Sequence, residues 1–558
     1  MTIKAINSEI SVAPQITPDD LTDIAQLGFR SVICNRPDGE GADQPTFEEI
    51  EAAAGKFGIE VHYLPIVAGK VRDEDADAFN VLMSTLPKPV LAYCRTGTRS
   101  ATLWSLSQSD KLPLADILAQ SKSAGYDMAG VVRRIANGGR TPTESAEDAR
   151  FDVVIVGGGA AGISVASSLL ARKSDLNVAI IDPADVHYYQ PGWTMVGGGI
   201  FNASDTAKTM GSLIPRGVHW IKSAVAAFEP QDNAVVLDGC RVVKYGRLVV
   251  CPGLKLDWHG VEGLVDTLGK NGVTSNYRYD LAPYTWRLVQ EMDAGRALFT
   301  QPPMPIKCAG APQKAMYLSA DFWVKTARLG SIDIQFMNAG GVLFGVKDYV
   351  PALMNYVERY GAQLNFFHNL VSIDGPAKKA VFEVKQPGQE PTRFETDFDM
   401  IHVTPPQTAP DFIRVSPLAD GAGWVDVDQS TLRHKTYDNI WSLGDVMNAP
   451  NAKTAAAARK QAPVVAENLV SDIEGHSATA QYDGYGSCPL TVERGKIVLA
   501  EFGYGGTLLP SFPRWLVDGT KPTRTAWLLK ERILPPIYWR AMLRGKEWMA
   551  KPEKVTAS

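Results

Sequence analysis

No stretch of about eighteen apolar residues occurs in this 558-residue chain, so a membrane-spanning helix is not expected. Cysteine is scarce: the six are irregularly spaced and none form a Cys-x-x-Cys pair. That pattern excludes a secreted disulfide framework and gives no zinc site, so no metal is expected. The net charge is only −5, without the cationic surplus that nucleic-acid binding requires. The stretch from Met1 to Val12 carries Glu9 and lacks a positive flank followed by an apolar run, so a secretory signal is not expected either. What is left is a cytoplasmic enzyme of ordinary composition, 45% hydrophobic and 21% charged. Its length suits about two to four domains.

Patterning divides the chain into an α/β region at 1–136, a linker at 137–150, a second α/β region at 151–510 and a tail at 511–558. In the first region strands are expected at Ser31-Val32-Ile33-Cys34, Glu60-Val61-His62-Tyr63-Leu64 and Val90-Leu91-Ala92-Tyr93. Helices from Thr46 to Phe57 and from Asp73 to Leu86 separate them, giving a small α/β domain with a partly parallel sheet. Residues 137–150 are polar and rich in helix breakers, as linkers are.

The second region opens with the strand Asp152-Val153-Val154-Ile155-Val156, then Gly157-Gly158-Gly159-Ala160-Ala161-Gly162 and a helix from Ile163 to Ala171. Gly157 permits the tight turn, Gly159 lets backbone approach a pyrophosphate, and Gly162 lets the helix pack on the strand. The pyrophosphate would rest on the helix N-terminus, where unpaired N–H groups favour an anion. A second strand, Asn177-Val178-Ala179-Ile180-Ile181, ends at Asp182, a carboxylate suited to a ribose hydroxyl. Far along the chain, Asn439-Ile440-Trp441-Ser442-Leu443 ends in Gly444-Asp445, where an FAD protein receives a ribityl hydroxyl. A helix opening at Lys453-Thr454 could turn its N-terminus toward a flavin's pyrimidine edge. Together these predict a two-dinucleotide-binding-domain, Rossmann-type flavoprotein that holds FAD.

Such a protein carries a second glycine-rich loop for a nicotinamide cofactor. The matching segment here, after the strand-like Ala297-Leu298-Phe299-Thr300, is Pro305-Ile306-Lys307-Cys308-Ala309-Gly310-Ala311-Pro312-Gln313-Lys314. Its glycine pattern is broken and a thiol stands in the turn, which points to a sulfur compound as electron donor rather than NADH. Lys307 and Lys314 are the cations that could favour a thiolate at Cys308.

Several motifs then resemble sulfide:quinone oxidoreductase of the mitochondrial type. They are Tyr189-Gln190-Pro191-Gly192-Trp193-Thr194, the Lys307 to Lys314 segment, His402-Val403-Thr404-Pro405-Pro406, Ala422-Gly423-Trp424-Val425-Asp426-Val427-Asp428 and Tyr482-Asp483-Gly484-Tyr485-Gly486-Ser487-Cys488-Pro489. The resemblance implies FAD, sulfide as donor, a quinone as acceptor, attachment to one membrane face, and sulfane sulfur carried on Cys308. It also implies a second cysteine directly after the Gly-Asp pair, a place that Val446 holds here. Cys251, in Val249-Val250-Cys251-Pro252-Gly253 where related flavoproteins approach the flavin, is the candidate substitute, although a structural loop cysteine is the other reading. Cys488, Cys34 and Cys240 read as packing residues.

In the first region the strand ending at Tyr93 delivers Cys94-Arg95-Thr96-Gly97-Thr98-Arg99-Ser100, followed by a helix from Ala101 to Ser107. A loop of this form rings a sulfur with backbone N–H groups and aims a helix N-terminus at it. Arg95 and Arg99 add charge for an oxyanion or a persulfide's partner. Tyrosine phosphatases place five residues between Cys and Arg; the shorter Cys-x4-Arg spacing here resembles rhodanese loops. The region also resembles a phosphatase-folded family of sulfur transferases, so a rhodanese-like activity is expected, with a phosphatase or an inactive loop as alternatives.

The tail mixes aromatic and apolar residues with cations and holds four of the twelve tryptophans, Trp515, Trp527, Trp539 and Trp548. It reads as an amphipathic, membrane-facing segment that Pro535-Pro536 breaks into two short helices, or else as a helix pair packed on its own core. The combined expectation is a bifunctional enzyme, peripheral on a membrane. It takes sulfide and a quinone as substrates and a small thiol or persulfide as sulfur acceptor; nucleic acid is not a partner, and an oligomer is compatible. The rivals are a type II NADH:quinone reductase-like flavoenzyme and a sulfide-responsive regulator with a phosphatase-like output domain.

Overall fold

The computed structural model describes residues 2–41, 44–67, 70–136, 138–140, 149–238, 241–450 and 452–554. Most of the expected linker and Cys240 therefore lie outside the described residues. The chain divides into two compact units. The first comprises Met1–Phe151, Ser223–Tyr245 and Asp411–Ala419, and the second comprises Asp152–Lys222, Gly246–Pro410 and Asp420–Ser558.

In the first unit a five-stranded sheet runs in the order Lys4–Ala5, Ile10–Ala13, Val90–Tyr93, Ser31–Cys34 and Glu60–Tyr63. All its pairings are parallel except the first. Its three central strands are buried on both faces because helices cover both. Ile10, Val12, Val90 and Ala92 pack with Phe79 and Trp104 on one side. Val32, Cys34, Leu91 and Tyr93 pack with Ile50 on the other. Helix Phe47–Gly55 starts at a capping box in which the Thr46 hydroxyl accepts from the Glu49 N–H.

The second unit holds two parallel sheets. In the first, Val178–Ile181 pairs in parallel with Val218–Ile221 and with Ala149–Val156. The end of Val242–Val250 pairs in parallel with Ile440–Ser442. The second sheet is parallel throughout, in the order Val273–Thr274, Met400–His402, Gly295–Gln301, Ile332–Asn338 and Gln363–Phe366. These are the expected two dinucleotide-type domains. An antiparallel sheet of Gly486–Glu493, Lys496–Phe502 and Pro522–Thr523 packs on helix Ala311–Lys325 through Cys488, Leu490 and Val492, which share one strand face.

The tail folds onto this unit instead of standing free. Arg524–Leu528 is α-helical, Leu529–Ile533 is a π-turn, and Leu534–Arg540 is α-helical again, so the two prolines shift the helix register at its N-terminus without opening a gap. Trp527, Tyr538, Trp539 and Leu543 are buried, while Trp515 is 84% exposed and Trp548 63% exposed. The tail thus has a packed inner face and carries exposed tryptophans on its outer side.

Candidate active site

The glycine turn meets its geometric demands residue by residue. Gly157 has φ +107°, and a Cβ there would lie 2.5 Å from the Cys251 carbonyl oxygen. A Cβ on Gly162 would lie 1.8 Å from the Gly157 carbonyl oxygen, so the helix can start this close only on glycine. Gly159 faces open space, with no atom within 4 Å of where its Cβ would be. Asp182 is fixed beside the turn, accepting from the Gly158 N–H at 2.6 Å and the Ala184 N–H at 2.8 Å. The helix runs Ala160–Arg172, three residues earlier at its start than periodicity alone suggests, because the glycine turn leads directly into it.

Gly159 and Asp182 border a cavity of ≈ 650 Å³ that also reaches Cys251, Gly444, Asp445, Lys453, Thr454 and Cys308. Gly444 takes φ +80° and donates its N–H to Gln461 Oε1 at 2.8 Å. Burial raises the Asp445 carboxyl above its usual range, against the pull of Lys453 and Lys307. Lys453 donates to the carbonyls of Asp445 at 2.7 Å and Met447 at 2.9 Å, and burial draws its amine down to about 8. Thr454 caps helix Ala455–Ile473 by accepting from the Ala457 N–H. Two helix N-termini therefore face one cavity. The hydroxyl of Thr194 and the side-chain amide of Asn276, both lining it, have no hydrogen-bond partner among the described residues. The donors, the open Gly159 approach and the ribose-ready Asp182 fit FAD.

Cys308 stands where the sequence puts it, between strand Gly295–Gln301 and helix Ala311–Lys325. Its N–H donates to the Lys453 carbonyl at 2.9 Å, tying the thiol loop to the head of the second flavin-side helix. Its φ is +50°, a left-handed conformation that costs a non-glycine residue on the order of 1–3 kcal/mol and collects at functional sites. Lys314, one turn into the helix and 3% exposed, donates its amine to the Cys308 sulfur at 2.9 Å. A hydrogen bond from the Cys488 thiol, with the charges of Lys314 and Lys530, holds the Cys308 thiol well below the ordinary range despite burial. Burial opposes the charge on Lys314, but the two sulfurs raise its pKa regardless. Lys530, from the π-turn of the tail and 5% exposed, donates to the Pro489 carbonyl and the Thr491 hydroxyl; burial and Lys314 pull its pKa well down. Lys307 points elsewhere, donating to Gln190 Oε1 at 2.7 Å.

The other two cysteines of this unit, Cys251 and Cys488, are buried. Cys251 is buried against the glycine turn, its sulfur 3.3 Å from where a Gly162 Cβ would be, and burial pushes its thiol up. The cysteine beside Cys308 is Cys488, read from sequence as packing. Val446 is fully buried.

In the first unit, Cys94 is fully buried and its sulfur accepts the Gly97 N–H at 3.1 Å. Gly97, at φ +88°, precedes a helix that begins at Thr98. Arg99 lies inside the loop but makes a two-pronged pair with Glu40, at 2.8 Å on each arm, and donates to the Ile66 carbonyl at 2.6 Å. Arg36 donates to the same Glu40 at 3.2 Å. Arg95 is exposed. Burial also pushes the Cys34 thiol up, in keeping with a packing residue.

Comparison with known proteins gives the same two parts. Residues 151–462 match the pyridine nucleotide-disulphide oxidoreductase family. Over 402 residues the chain is 44% identical to the mitochondrial sulfide:quinone oxidoreductase of Dictyostelium discoideum, covering 72% of this chain and 87% of that protein. The chain belongs to the sulfide:quinone oxidoreductase family. FAD is accordingly the cofactor. The sulfide:quinone oxidoreductase of Aquifex aeolicus shares the fold at TM-score 0.58 and 18% identity, over 71% of this chain and 92% of that one. Residues 2–111 match a family described as beta-lactamase hydrolase-like protein, phosphatase-like domain. The beta-lactamase hydrolase-like protein of Agrobacterium fabrum is 32% identical over 130 residues, 23% of this chain and 30% of that protein. Among the described residues no helix is long and apolar enough to cross a membrane, and no cluster of metal-ligating side chains occurs.

Proposed function

We propose that the second unit oxidises sulfide to sulfane sulfur at Cys308 and passes the electrons to a membrane quinone. The observation that carries this reading is a lysine-bound thiol, with Lys314 Nζ 2.9 Å from the Cys308 sulfur, in the same cavity as Gly159, Asp445 and Lys453. When bound, FAD supplies two-electron acceptance from sulfur and donation to quinone. The chain's part is to hold Cys308 as the thiolate, the reactive form of the group. The quinone has an apolar way in: Phe512, Ile533, Leu534, Ile537 and Trp548 of the tail line the cavity, and Ile533 and Trp548 are also exposed. The exposed Trp515, Leu516 and Leu528 extend that surface and support a peripheral seat on a lipid face. Anaerobic titration of the purified flavoprotein tests the reading. Sulfide should bleach the flavin absorbance and a quinone should restore it, whereas bleaching by NADH but not by sulfide would overturn it.

The domain at 1–136 is read as the sulfur transferase of the pair, receiving sulfane sulfur on Cys94 directly or through a small thiol. The Gly97 N–H bond to Cys94 and the short Cys-x4-Arg loop support it. Cys94→Ser should slow persulfide formation on an added small thiol; an unchanged rate removes the hand-off.

A further inference from the structure

Strands Gly486–Glu493 and Lys496–Phe502 pair so that Ser487 meets Glu501 and Pro489 meets Leu499, and all four line the cavity. Glu501 is the one ionisable residue of the four, and it is only 5% exposed. Tyr485 and Ser511, which also line the cavity, close around its side chain. Both hydroxyls donate to Glu501 Oε1 at 2.6 Å, and the Ser511 N–H donates to Oε2 at 3.0 Å. The two hydroxyls lie 3.0 Å from each other. Among the described residues no cation pairs with this carboxylate. Its backbone is pinned as well: the Glu501 N–H donates to the Tyr349 hydroxyl at 3.0 Å, and that hydroxyl donates to the Glu501 carbonyl at 2.9 Å. Burial and the Glu501 charge push the Tyr485 phenol up, so Tyr485 stays a donor. Tying Ser511 to the strand needs only a neutral acceptor; a buried carboxylate without a cation is the costly way to do it.

The network stands where a proton is needed. Ser511 is the least buried of the three and directly precedes Phe512, one of the apolar tail residues that line the quinone's way in. Reduction of a quinone to a quinol takes two electrons and two protons. Both electrons and one proton come with the reduced cofactor, and the other proton must come from the chain. We infer that Glu501 stores this second proton and delivers it to a quinone oxygen through the Ser511 hydroxyl. The inference rests on the sulfide:quinone reading. The carboxyl O–H bond of Glu501 breaks as a bond from that proton to Ser511 Oγ forms. The proton that Ser511 already held leaves to the quinone oxygen as the electron pair arrives on the ring. Tyr485 steadies the carboxylate left behind by donating to it, and solvent returns a proton to Glu501. One quinone, two electrons and a proton from the reduced cofactor, and one proton from solvent sum to one quinol, with no further reductant.

Stopped-flow reoxidation of the FAD-loaded full-length chain tests this. The flavin is reduced anaerobically with stoichiometric dithionite, which bypasses the sulfide step. It is then mixed with a saturating short-chain quinone, or with ferricyanide, which takes electrons without protons. Glu501→Gln keeps the size of the side chain and one acceptor oxygen but holds no transferable acid proton. Checked for retained flavin absorbance, it should be reoxidised by the quinone about 100-fold more slowly than the wild type. Ferricyanide should reoxidise both at the same speed. Ser511→Ala leaves the carboxyl in place, removes the last hydroxyl and should show the same split between the two oxidants. Wild-type speed with quinone in either variant would overturn the relay. Equal slowing with quinone and ferricyanide would also overturn it, making Glu501 a prop of the fold. If ferricyanide but not quinone reoxidises the wild-type flavin, the quinone reading falls and takes the relay with it. If quinone reoxidises wild type and variants alike, only the relay falls.

Discussion

Cys308 and Cys94 sit on the same local device, a parallel strand ending in a loop that delivers a thiol to the head of a helix, yet their surroundings differ in kind. At Cys308 the helix returns a lysine to the sulfur: Lys314 reaches it at 2.9 Å. At Cys94 the helix also brings a cation, Arg99, but Glu40 takes both arms of its guanidinium. Cys308 lines a cavity and Cys94 is sealed. A strand–thiol–helix unit therefore does not by itself decide reactivity. The two sites differ in the cation at the sulfur: Lys314 donates to Cys308, whereas Arg99 divides its charge between Glu40 and Cys94.

The largest test of this difference is removal of the lysine. Lys314→Met keeps the length of the side chain and deletes the charge. The Cys308 thiol, held low in the wild type, should then rise, because a charge that favours its thiolate is gone. The sign follows from the thiolate being the active form. Wild-type flavin reduction by sulfide is retained at neutral pH and lost as pH falls through the depressed Cys308 pKa. In the variant that acid limb moves to higher pH. Stopped-flow reduction should be about 10- to 100-fold slower near pH 7 and recover toward pH 9. A uniform loss at all pH values would mean that Lys314 only props the fold.

Much of this was legible in the chain. Gly157, Gly159, Gly162 and Asp182 act locally, through strand, turn and helix, and a spacing pattern captures local geometry. The position of Cys308 was legible for the same reason, since it departs from a glycine loop whose place the flanking strand and helix fix. The groups that surround its sulfur were not. Cys488 and Lys530 reach Cys308 from distant strand and tail segments, and only the packing of helix Ala311–Lys325 on that strand brings them together. Cys251, for which a redox and a structural reading were both open, lies beside the flavin turn with its sulfur against Gly162. Glu40 was equally hidden. Only the fold sets its carboxylate against Arg99 and Arg36.

Glu40 gives the second test, with an intermediate effect. Burial works against the Arg99 charge, while Glu40 and Cys94 raise its pKa, so the guanidinium is charged and its two best donors are occupied. Glu40→Gln keeps the shape and removes the negative charge. Arg99 then becomes available to an anion at the Cys94 loop. Charge-assisted bonds of this kind are worth about 1.5–3 kcal/mol, so thiosulfate or sulfate affinity should rise about tenfold or more by calorimetry. No change in affinity would mean that the loop does not take anions, and the likeness between the two thiol loops would end at their backbone.

Arg95 marks the low end of the scale. It neighbours Cys94 in sequence but is exposed, with its charge in solvent, whereas Arg99 is buried in the loop. A solvated cation a short distance from a buried sulfur acts through water and salt, and exposed charge pairs are worth about 0.2–1 kcal/mol. Arg95→Ala should therefore slow alkylation of Cys94 by only about two- to fivefold at low ionic strength, with the difference vanishing in molar salt. Arg99→Ala, measured alongside, should give a larger effect that salt does not erase. Equal and salt-insensitive effects would move Arg95 from the surface into the working loop, and the contrast drawn between a shielded and a free cation would then have to include both arginines.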